Sequence, residues 1–209
     1  SLIVTKNSSS KLGWGILSTA WIAEYLVQPI NFSARSELIA VASRTNSTAQ
    51  QFAVEYGVTK AYGSYLSMLD GPEVGVVYIP LPNSLHCEWS LKAARAGKHV
   101  LCEKPLVQSI AEIDALEEAA VANNVTIFEA VAHMHHPQTQ AIQKRIDDGV
   151  LGSLHSFLGW DAFLLERGSE SNFRYYSKYG GGSLWDIGVY PVSLSIILNR
   201  MGPPVEVWG

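Results

Sequence analysis

The sequence predicts an α/β protein with a doubly wound parallel sheet, followed by part of a second α/β domain. Short apolar runs with β-prone residues alternate with longer amphipathic segments, which is typical of a parallel sheet flanked by helices. The 209 residues are 47% hydrophobic and 16% charged, so a buried core is expected and disorder is not. A chain of this length can hold one large domain, or one ordinary domain and part of another.

Strands and helices alternate regularly through the first part of the chain. The apolar runs predict a six-stranded sheet and locate five of its strands, over residues 12–17, 38–43, 74–79, 99–102 and 125–128. The segments between them predict helices over residues 20–27, 47–56, 65–69, 84–96 and 109–122, with a short link at residues 61–63. Gly57 and Gly97 suit helix ends, and Ser109 with Glu112 fits a capping box.

Beyond residue 132 the sequence predicts the beginning of a second domain. A helix over residues 138–147 ends before Gly149, a long strand covers residues 154–164, and Gly180-Gly181-Gly182 opens another apolar helix. Residues 205–208 resemble the start of a further strand. We therefore expect one domain over residues 1–132 and an incomplete domain over residues 133–209.

Composition excludes several classes of protein. The net charge is −4 and no run of Lys or Arg occurs, so a nucleic-acid surface is not expected. Two cysteines are too few for a disulfide framework. The polar first residues lack the core of a signal peptide, and no apolar stretch approaches the length of a membrane span. We expect a cytoplasmic protein with no membrane partner.

The turn after the first strand must let backbone N–H groups approach a pyrophosphate if the sheet binds a dinucleotide. Two registers are open. Gly13-Trp14-Gly15-Ile16-Leu17-Ser18 is nearer to G-x-G-x-x-G, but it leaves almost no strand before the turn. Ser18-Thr19-Ala20-Trp21-Ile22-Ala23 follows a full strand and directly precedes a helix, so we favour it. Its expected glycines are Ser or Ala, and an ordinary tight turn into a core helix is the alternative.

The end of the second strand indicates which dinucleotide is bound. Folds that select NAD usually place Asp or Glu there for the ribose 2′-hydroxyl. The residues here are Ala42-Ser43-Arg44-Thr45-Asn46, with no acid, and Arg44 with Ser43 and Thr45 can hold a 2′-phosphate. The alternative is a solvent-exposed arginine at a strand end. The sequence predicts NADP as the cofactor.

Two later strand ends point at the same edge of the sheet, where open α/β sheets bind ligands. Ile79-Pro80-Leu81-Pro82-Asn83-Ser84-Leu85-His86 contains prolines that end strand pairing, and Glu103-Lys104-Pro105 places a lysine there. Simpler roles are open for these residues. Asn83 could cap the next helix, His86 could lie on a helix surface, and Lys104 could be a solvated surface group.

Together these segments resemble the glucose–fructose oxidoreductase/inositol dehydrogenase/MocA (Gfo/Idh/MocA) family. The resemblance is carried by residues 18–23, 79–86 and 96–105, and downstream by residues 172–174 and 180–191. It extends over essentially the whole chain from Leu12. The branch of dimeric dihydrodiol dehydrogenases and NADP-dependent D-xylose dehydrogenases is the most similar.

The resemblance implies a Rossmann domain that binds NADP, followed by a second α/β domain whose open sheet often makes a dimer contact. It implies hydride transfer between the nicotinamide and a hydroxyl-bearing carbon of a small-molecule substrate (a sugar, polyol or trans-dihydrodiol), in a homo-oligomer. By position, Lys104 and Tyr190 match the catalytic lysine and tyrosine, and Asp186 matches a polar position near the substrate. The residues expected to contact the cofactor are Ser18, Thr19, Ala20, Trp21, Ile22, Ser43, Arg44, Pro80, Leu81, Asn83, His86, Glu103 and Lys104.

The chemistry of alcohol oxidation agrees with these roles. A tyrosine ordinarily has a pKa of about 10, so it needs a nearby cation to act as acid or base at neutral pH. Lys104 and the oxidised nicotinamide can supply positive potential, and Lys104 can also hold the substrate oxygen. Asp186 lies one helical turn before Tyr190, so on one helix the two side chains share a face.

The chain departs from the family pattern at Met134 as well as in the serine-containing turn. Relatives often carry Arg at this position, which lies among His133, His135 and His136. No Cys or carboxylate lies at ligand spacing from these histidines, so no metal is expected. Two other hypotheses stay open: a regulatory protein that binds NADP without turnover, and an inactive truncated relative. Retention of the lysine–tyrosine pair favours an enzyme.

Overall fold

The computed structural model describes residues 11–165, 172–199 and 202–208. The chain forms two compact units, the first ending at Phe128 and the second beginning at Glu129. The boundary predicted from the sequence, after Ala132, falls shortly beyond this division.

The first unit is built on a six-stranded sheet with the strand order β3-β2-β1-β4-β5-β6. The strands are β1 Leu12–Leu17, β2 Ser36–Ala42, β3 Lys60–Tyr62, β4 Val76–Ile79, β5 His99–Glu103 and β6 Ile127–Ala130. Neighbouring strands from β3 to β5 are parallel. The strand order changes direction at β1, so the carboxyl ends of β1 and β4 flank the crevice where such sheets bind ligands. The predicted doubly wound parallel sheet is confirmed.

Five helices connect these strands. They are α1 Glu24–Phe32, α2 Asn46–Tyr56, α3 Tyr65–Leu69, α4 His86–Arg95 and α5 Ile110–Asn123. Gly57 and Gly97 follow α2 and α4 with φ of +68° and +73°, as predicted for helix ends. Ser109 and Glu112 form the predicted capping box at the start of α5.

Two strand predictions in this unit need correction. The short link predicted at residues 61–63 overlaps β3, which pairs with residues Ala40–Ala42 of β2. An edge strand this short and partly polar carries no apolar run, so periodicity does not reveal it. The last strand begins at Ile127 rather than residue 125, because the backbone N–H of Val125 still bonds to the carbonyl of Ala120 at the end of α5.

The core of the first unit lies on both faces of the sheet. Leu17 and Ile79 belong to one buried cluster, and their chain neighbours Ile16 and Tyr78 belong to the other. Successive side chains of a strand point to opposite faces, so burial on both faces produces the uninterrupted apolar runs of the sequence.

The second unit is helical in the part that the structure describes. Helix α6 covers Pro137–Asp147, and a π-helical turn at Leu184–Gly188 leads into α7 at Val189–Leu198. Both helices predicted for this region are therefore confirmed. Gly149 follows α6 with φ of +73°, as its predicted role as terminator requires.

The strands predicted over residues 154–164 and 205–208 are wrong. Residues 154–165 and 202–208 have no regular secondary structure, and the described residues after β6 contain no strand. A strand needs a neighbouring strand for its backbone hydrogen bonds, and the described residues after β6 provide no such neighbour for either segment. The apolar side chains Leu158, Trp160 and Leu164 are 85%, 81% and 89% exposed. The open sheet of the second domain stays a prediction.

From the sequence we expect no apolar stretch as long as a membrane span, but one segment of the second unit meets that criterion. Residues Ser177–Leu198 are long and apolar enough to cross a membrane by length and composition. The segment is not one unbroken helix, because Gly180 and Gly182 have φ of +72° and +106°. Helix α7 itself has 10 residues, whereas a span needs about 20. The segment is therefore weak evidence for a membrane helix.

Candidate cofactor site and acid–base residues

The turn between β1 and α1 has the tight backbone that the preferred register predicts. Ser18 has φ of +120°, a conformation that favours glycine. Its Oγ accepts the N–H of Ala20 at 2.9 Å, and its own N–H donates to the carbonyl of Ala42 at the end of β2. A 3₁₀ turn at Trp21–Ala23 follows and leads into α1. Backbone N–H groups at such a helix start attract an anion.

The alternative register lies inside β1, which excludes it as a ligand-binding turn. Gly13 and Gly15 are buried strand residues. A Cβ on Gly15 would lie 2.9 Å from Cε of Met68 and 3.1 Å from Cγ1 of Val74. A Cβ on Gly13 would lie 2.3 Å from the backbone oxygen of Glu73, so these glycines serve the close packing of β1.

Arg44 is exposed to solvent at the end of β2, beside the buried Ser43, and this exposure fits both sequence interpretations, the 2′-phosphate ligand and the solvated arginine. Thr45 is occupied elsewhere, since its Oγ1 caps α2 by accepting the N–H of Thr48. The positive charge of Arg44 is close enough to Tyr65 to oppose the increase that burial causes in the pKa of that phenol. Arg44 is the only one of the three predicted residues that carries a charge, and its exposed guanidinium is accessible to an anionic ligand.

The segment after β4 is buried and ordered by its own backbone. Pro80 and Leu81 are buried, and a 3₁₀ turn covers Asn83–Leu85. Asn83 is 5% exposed and is the first residue of this turn, whereas Leu85 is the residue before α4, so Asn83 does not occupy the N-cap position of the following helix. Its predicted contact with the cofactor stays a prediction.

His86 is 1% exposed, so the interpretation as a helix-surface residue is also wrong. Its Nδ1 lies 2.7 Å from the carbonyl oxygen of Pro105, and its Nε2 lies 2.7 Å from the carbonyl oxygen of Leu81. Burial lowers the pKa of His86, and the two carbonyls partly oppose that shift. Both ring nitrogens face protein carbonyls, so the imidazole connects the segment after β4 with the segment after β5, and its polar atoms are not available for the cofactor contact predicted from the sequence.

The run Glu103-Lys104-Pro105 begins at the last residue of β5. Oε1 of Glu103 accepts a hydrogen bond from the hydroxyl of Tyr78 at 2.6 Å. Burial, and secondly the charge of Glu103, raise the pKa of Tyr78, so the phenol keeps its proton and is the donor. Lys104 is half-buried, and its peptide bond to Pro105 is cis. The lysine thus lies at the predicted carboxyl edge of the sheet.

In the second unit, the triple-glycine segment packs against the turn that contains Arg174. A Cβ on Gly181 would lie 2.5 Å from the carbonyl oxygen of Arg174, so glycine is required there. Gly182 donates its N–H to the same carbonyl at 2.9 Å. The contact brings Nε of Arg174 within 2.6 Å of Oδ2 of Asp186, which is 5% exposed. Asp186, predicted to act near the substrate, is held in an ion pair.

Tyr190 is half-buried in α7, and its ring meets the ring of His133 edge to face with centroids 5.5 Å apart. Nε2 of His133 lies 3.2 Å from Oγ of Ser193, whose hydrogen is directed to the carbonyl of Val189 at 2.5 Å. Nε2 of His133 is therefore the donor to Ser193. Burial lowers the pKa of His133, so the ring is neutral.

The neutral His133 leaves Nδ1 as an acceptor, and this buried atom has no hydrogen-bond partner among the described residues. In the sequence, His133 suggests only a candidate metal ligand. The neighbouring His136 instead caps α6 by accepting the N–H of Gln138. No sequence signal identifies the contact with Tyr190, since it joins residues far apart in the chain.

A surface pocket lies elsewhere in the first unit, where α1 and α2 end. Helices that return from parallel strands end near the amino edge of the sheet, opposite the edge described above. This pocket is therefore separate from the candidate site. Its lining residues are Val27, Gln28, Asn31, Phe32, Glu55 and Tyr56.

Known proteins share both the sequence pattern and the fold. The model of the oxidoreductase family GFO/IDH/MocA, described as having an NAD-binding Rossmann fold, matches residues 12–131. The chain is 39% identical to an uncharacterized oxidoreductase (ORF334) of Rhizobium meliloti, over 91% of this chain and 57% of the relative. It is 37% identical to D-xylose 1-dehydrogenase (NADP(+)) 2 of Haloferax volcanii, over 93% of this chain and 59% of the relative.

A solved structure shows the same similarity. The 3-ketoreductase KijD10 of Actinomadura kijaniata, in complex with NADP and TDP-benzene, superposes with a TM-score of 0.82 at 33% identity. The match covers 90% of this chain and 58% of KijD10. The chain thus spans somewhat more than half the length of each of these proteins.

Proposed function

This chain belongs to the Gfo/Idh/MocA family of oxidoreductases, and from that premise we propose that it is part of an NADP-dependent dehydrogenase or reductase. The proposed reaction transfers a hydride between the nicotinamide and a hydroxyl-bearing carbon of a sugar, polyol or trans-dihydrodiol. The observation that carries the proposal is the convergence of the Ser18 turn, Arg44 and Lys104 on one edge of a doubly wound sheet.

The residues at this edge fit a dinucleotide. The left-handed backbone of Ser18 directs the chain sharply into the 3₁₀ turn before α1, which suits a pyrophosphate. Thr19, Ala20 and Ile22 are partly exposed in this turn, and Trp21 is 62% exposed, so their backbone and side chains are accessible to a ligand. The bound cofactor would accept or supply the hydride.

NADP is the preferred form of the cofactor because of the charge at the end of β2. Arg44 is exposed there with no carboxylate among residues 42–46. A guanidinium forms charge-assisted hydrogen bonds to a phosphate, whereas the 2′-hydroxyl of NAD needs an acidic partner. The NADP in the KijD10 complex supports the same choice.

Tyr190 is the proposed acid/base, and Lys104 is the proposed electrostatic and orienting group. Oxidation of the alcohol requires a base for the hydroxyl proton, and a phenol at its ordinary pKa is a weak base at neutral pH. A lysine ammonium that binds the substrate oxygen stabilises the alkoxide that develops there. Asp186 contributes by its ion pair with Arg174, which fixes the turn before α7.

The test is turnover across a panel of substrates. NADPH formation is measured with aldoses, polyols and trans-dihydrodiols, and NADPH consumption with the matching carbonyl compounds. We expect turnover with at least one class and a preference for NADP over NAD. Tight NADP binding with no turnover on any substrate would contradict the proposal and favour a regulatory protein that senses the nucleotide. A protein that binds neither nucleotide would instead match an inactive relative.

The family also suggests the setting in which the enzyme works. We propose a homo-oligomer in the cytoplasm. The exposed apolar side chains of residues 154–165 support an interface, because isolated proteins rarely expose large apolar patches.

A further inference from the structure

We propose that Tyr78 and His86 are positioning residues that fix Lys104 from its two sides. The inference rests on the proposed function, because it takes Lys104 as the group that orients the substrate. It gives a function to two buried polar side chains that do not themselves react with the substrate.

Tyr78 fixes the residue before the lysine. Its ring is fully buried in the sheet, in β4, directly beside β5. A buried phenol must direct its hydrogen to an acceptor, and here the acceptor is Oε1 of Glu103 at 2.6 Å. A hydroxyl that donates to a carboxylate at this distance forms a strong, directional bond. The side chain of Glu103 is therefore anchored to the neighbouring strand.

His86 fixes the residue after the lysine. It is the first residue of α4, and its Nδ1 lies 2.7 Å from the carbonyl oxygen of Pro105. Its Nε2 lies 2.7 Å from the carbonyl oxygen of Leu81, in the segment after β4. A neutral imidazole has one N–H, and the tautomer with its hydrogen on Nδ1 donates to the carbonyl of Pro105. The ring is 1% exposed, so water does not compete for this bond. The main chain at Pro105 is thus connected to the segment after β4.

The two contacts lie on either side of a single residue. Glu103 is held through its carboxylate and Pro105 through its carbonyl, so the Cα of Lys104 between them has little freedom to move. A displacement of about 1 Å between reacting groups costs on the order of 100-fold in rate. Loss of either contact should therefore affect the chemical step more than cofactor binding.

Two substitutions, one for each contact, test the proposal with little change in volume. Tyr78→Phe removes only the hydroxyl, and His86→Leu removes both ring nitrogens. His86→Asn is the rescue variant, because the amide nitrogen of Asn lies where Nδ1 of His does and can donate to Pro105. Lys98→Met is the control: Lys98 is also buried and donates to the carbonyl of Gly71, at the opposite edge of the sheet.

The measured quantities are kcat at saturating substrate, the Kd for NADP and the Tm of each variant. We expect Tyr78→Phe and His86→Leu each to lower kcat about 10- to 100-fold with less than about a twofold change in Kd. His86→Asn should recover most of the loss. Lys98→Met should lower Tm while kcat stays unchanged. A fall in kcat for Lys98→Met equal to that for Tyr78→Phe would overturn the proposal, since general destabilisation would then explain both.

A double-mutant cycle with Lys104→Ala separates this inference from the proposed function. If Tyr78 and His86 act through Lys104, their substitutions cause no further loss in the Lys104→Ala background. Equal fold-losses in both backgrounds, with Lys104→Ala itself defective, overturn the positioning role and leave the proposed function intact. If Lys104→Ala retains full turnover, the role proposed for Lys104 fails and the positioning role fails with it, whereas absence of turnover in the unsubstituted protein would refute the proposed function itself.

Discussion

Nε of Arg174 lies 2.6 Å from Oδ2 of Asp186, and the Asp186 side chain is 7% exposed. The pair is formed by the close approach of the triple-glycine segment to the Arg174 turn, which Gly181 permits. A carboxylate so buried is costly without its cation, because removing one partner leaves the other charge unpaired. The contact therefore stabilises the turn that precedes Tyr190.

Asp186→Asn should lower the free energy of unfolding by about 2 kcal/mol, because Arg174 is left partly buried without its counter-charge. Urea denaturation of the two proteins measures this difference. The control is Asp148→Asn, which breaks a solvent-exposed pair with Lys144 and should change stability far less. Equal decreases in the free energy of unfolding for both substitutions would show that the buried pair with Arg174 stabilises the protein no more than an exposed pair does.

Arg44→Ala should weaken NADP binding about 10- to 100-fold and leave NAD binding nearly unchanged. The reason is that a guanidinium stabilises a 2′-phosphate by charge-assisted hydrogen bonds, which NAD does not form. Fluorescence titration with both nucleotides measures the two dissociation constants. Arg95→Ala is the matched control, since Arg95 is an exposed arginine at the end of α4 and the same charge is removed. Equal weakening of both nucleotides would overturn the assignment of Arg44.

Tyr190→Phe should lower kcat by at least about 100-fold and leave the Kd for NADP nearly unchanged. Only the hydroxyl is lost, and a positioned acid or base contributes about 100- to 10,000-fold to such reactions. Tyr179→Phe provides the comparison, because Tyr179 is a half-exposed phenol in the same unit and makes its ring contact with Tyr176. If the two variants retain similar turnover, another group must move the proton.

Local sequence signals account for most of the first unit. The apolar strands, the glycines after α2 and α4, and the capping box of α5 each act within a few residues, so their outcomes could be predicted. The carboxyl ends of parallel strands share one edge, so the sequence alone assigns Arg44 and Lys104 to that edge.

The remaining features depend on contacts between distant parts of the chain. His86 is buried because two carbonyls meet its ring, and Asp186 is neutralised by a residue twelve positions earlier. The segment at residues 154–164 has the composition of a strand but no described neighbour to pair with. Periodicity reports which face of a segment is apolar; it does not report which partner the segment will meet.

Stability should fall as the pH is lowered from about 7.5 to about 5.5. Burial lowers the pKa of His86 below its ordinary value of 6.5, so the unfolded chain binds more protons than the folded chain in this range. The free energy of unfolding, measured by urea titration at several pH values, should have a positive slope against pH. His86→Asn should reduce that slope, and His133, whose pKa burial also lowers, should account for part of the remainder. An unchanged slope in His86→Asn would contradict the assignment.

Ser18→Gly should stabilise the protein by about 1 kcal/mol and preserve NADP binding. Ser18 has φ of +120°, and a residue with a Cβ in this region carries about 1–3 kcal/mol of strain. Glycine removes that strain but also removes the hydrogen bond from the Ala20 N–H to Oγ, which contributes about 1 kcal/mol.

Ser18→Ala separates the two effects, because it keeps the strain and loses only the bond, and it should destabilise the protein by about 1 kcal/mol. Opposite signs for the two variants in thermal denaturation would establish that the turn is built for glycine and that serine is held there by its own hydroxyl. Destabilisation of similar size in both would show that the hydroxyl, not the backbone conformation, determines the stability of this turn.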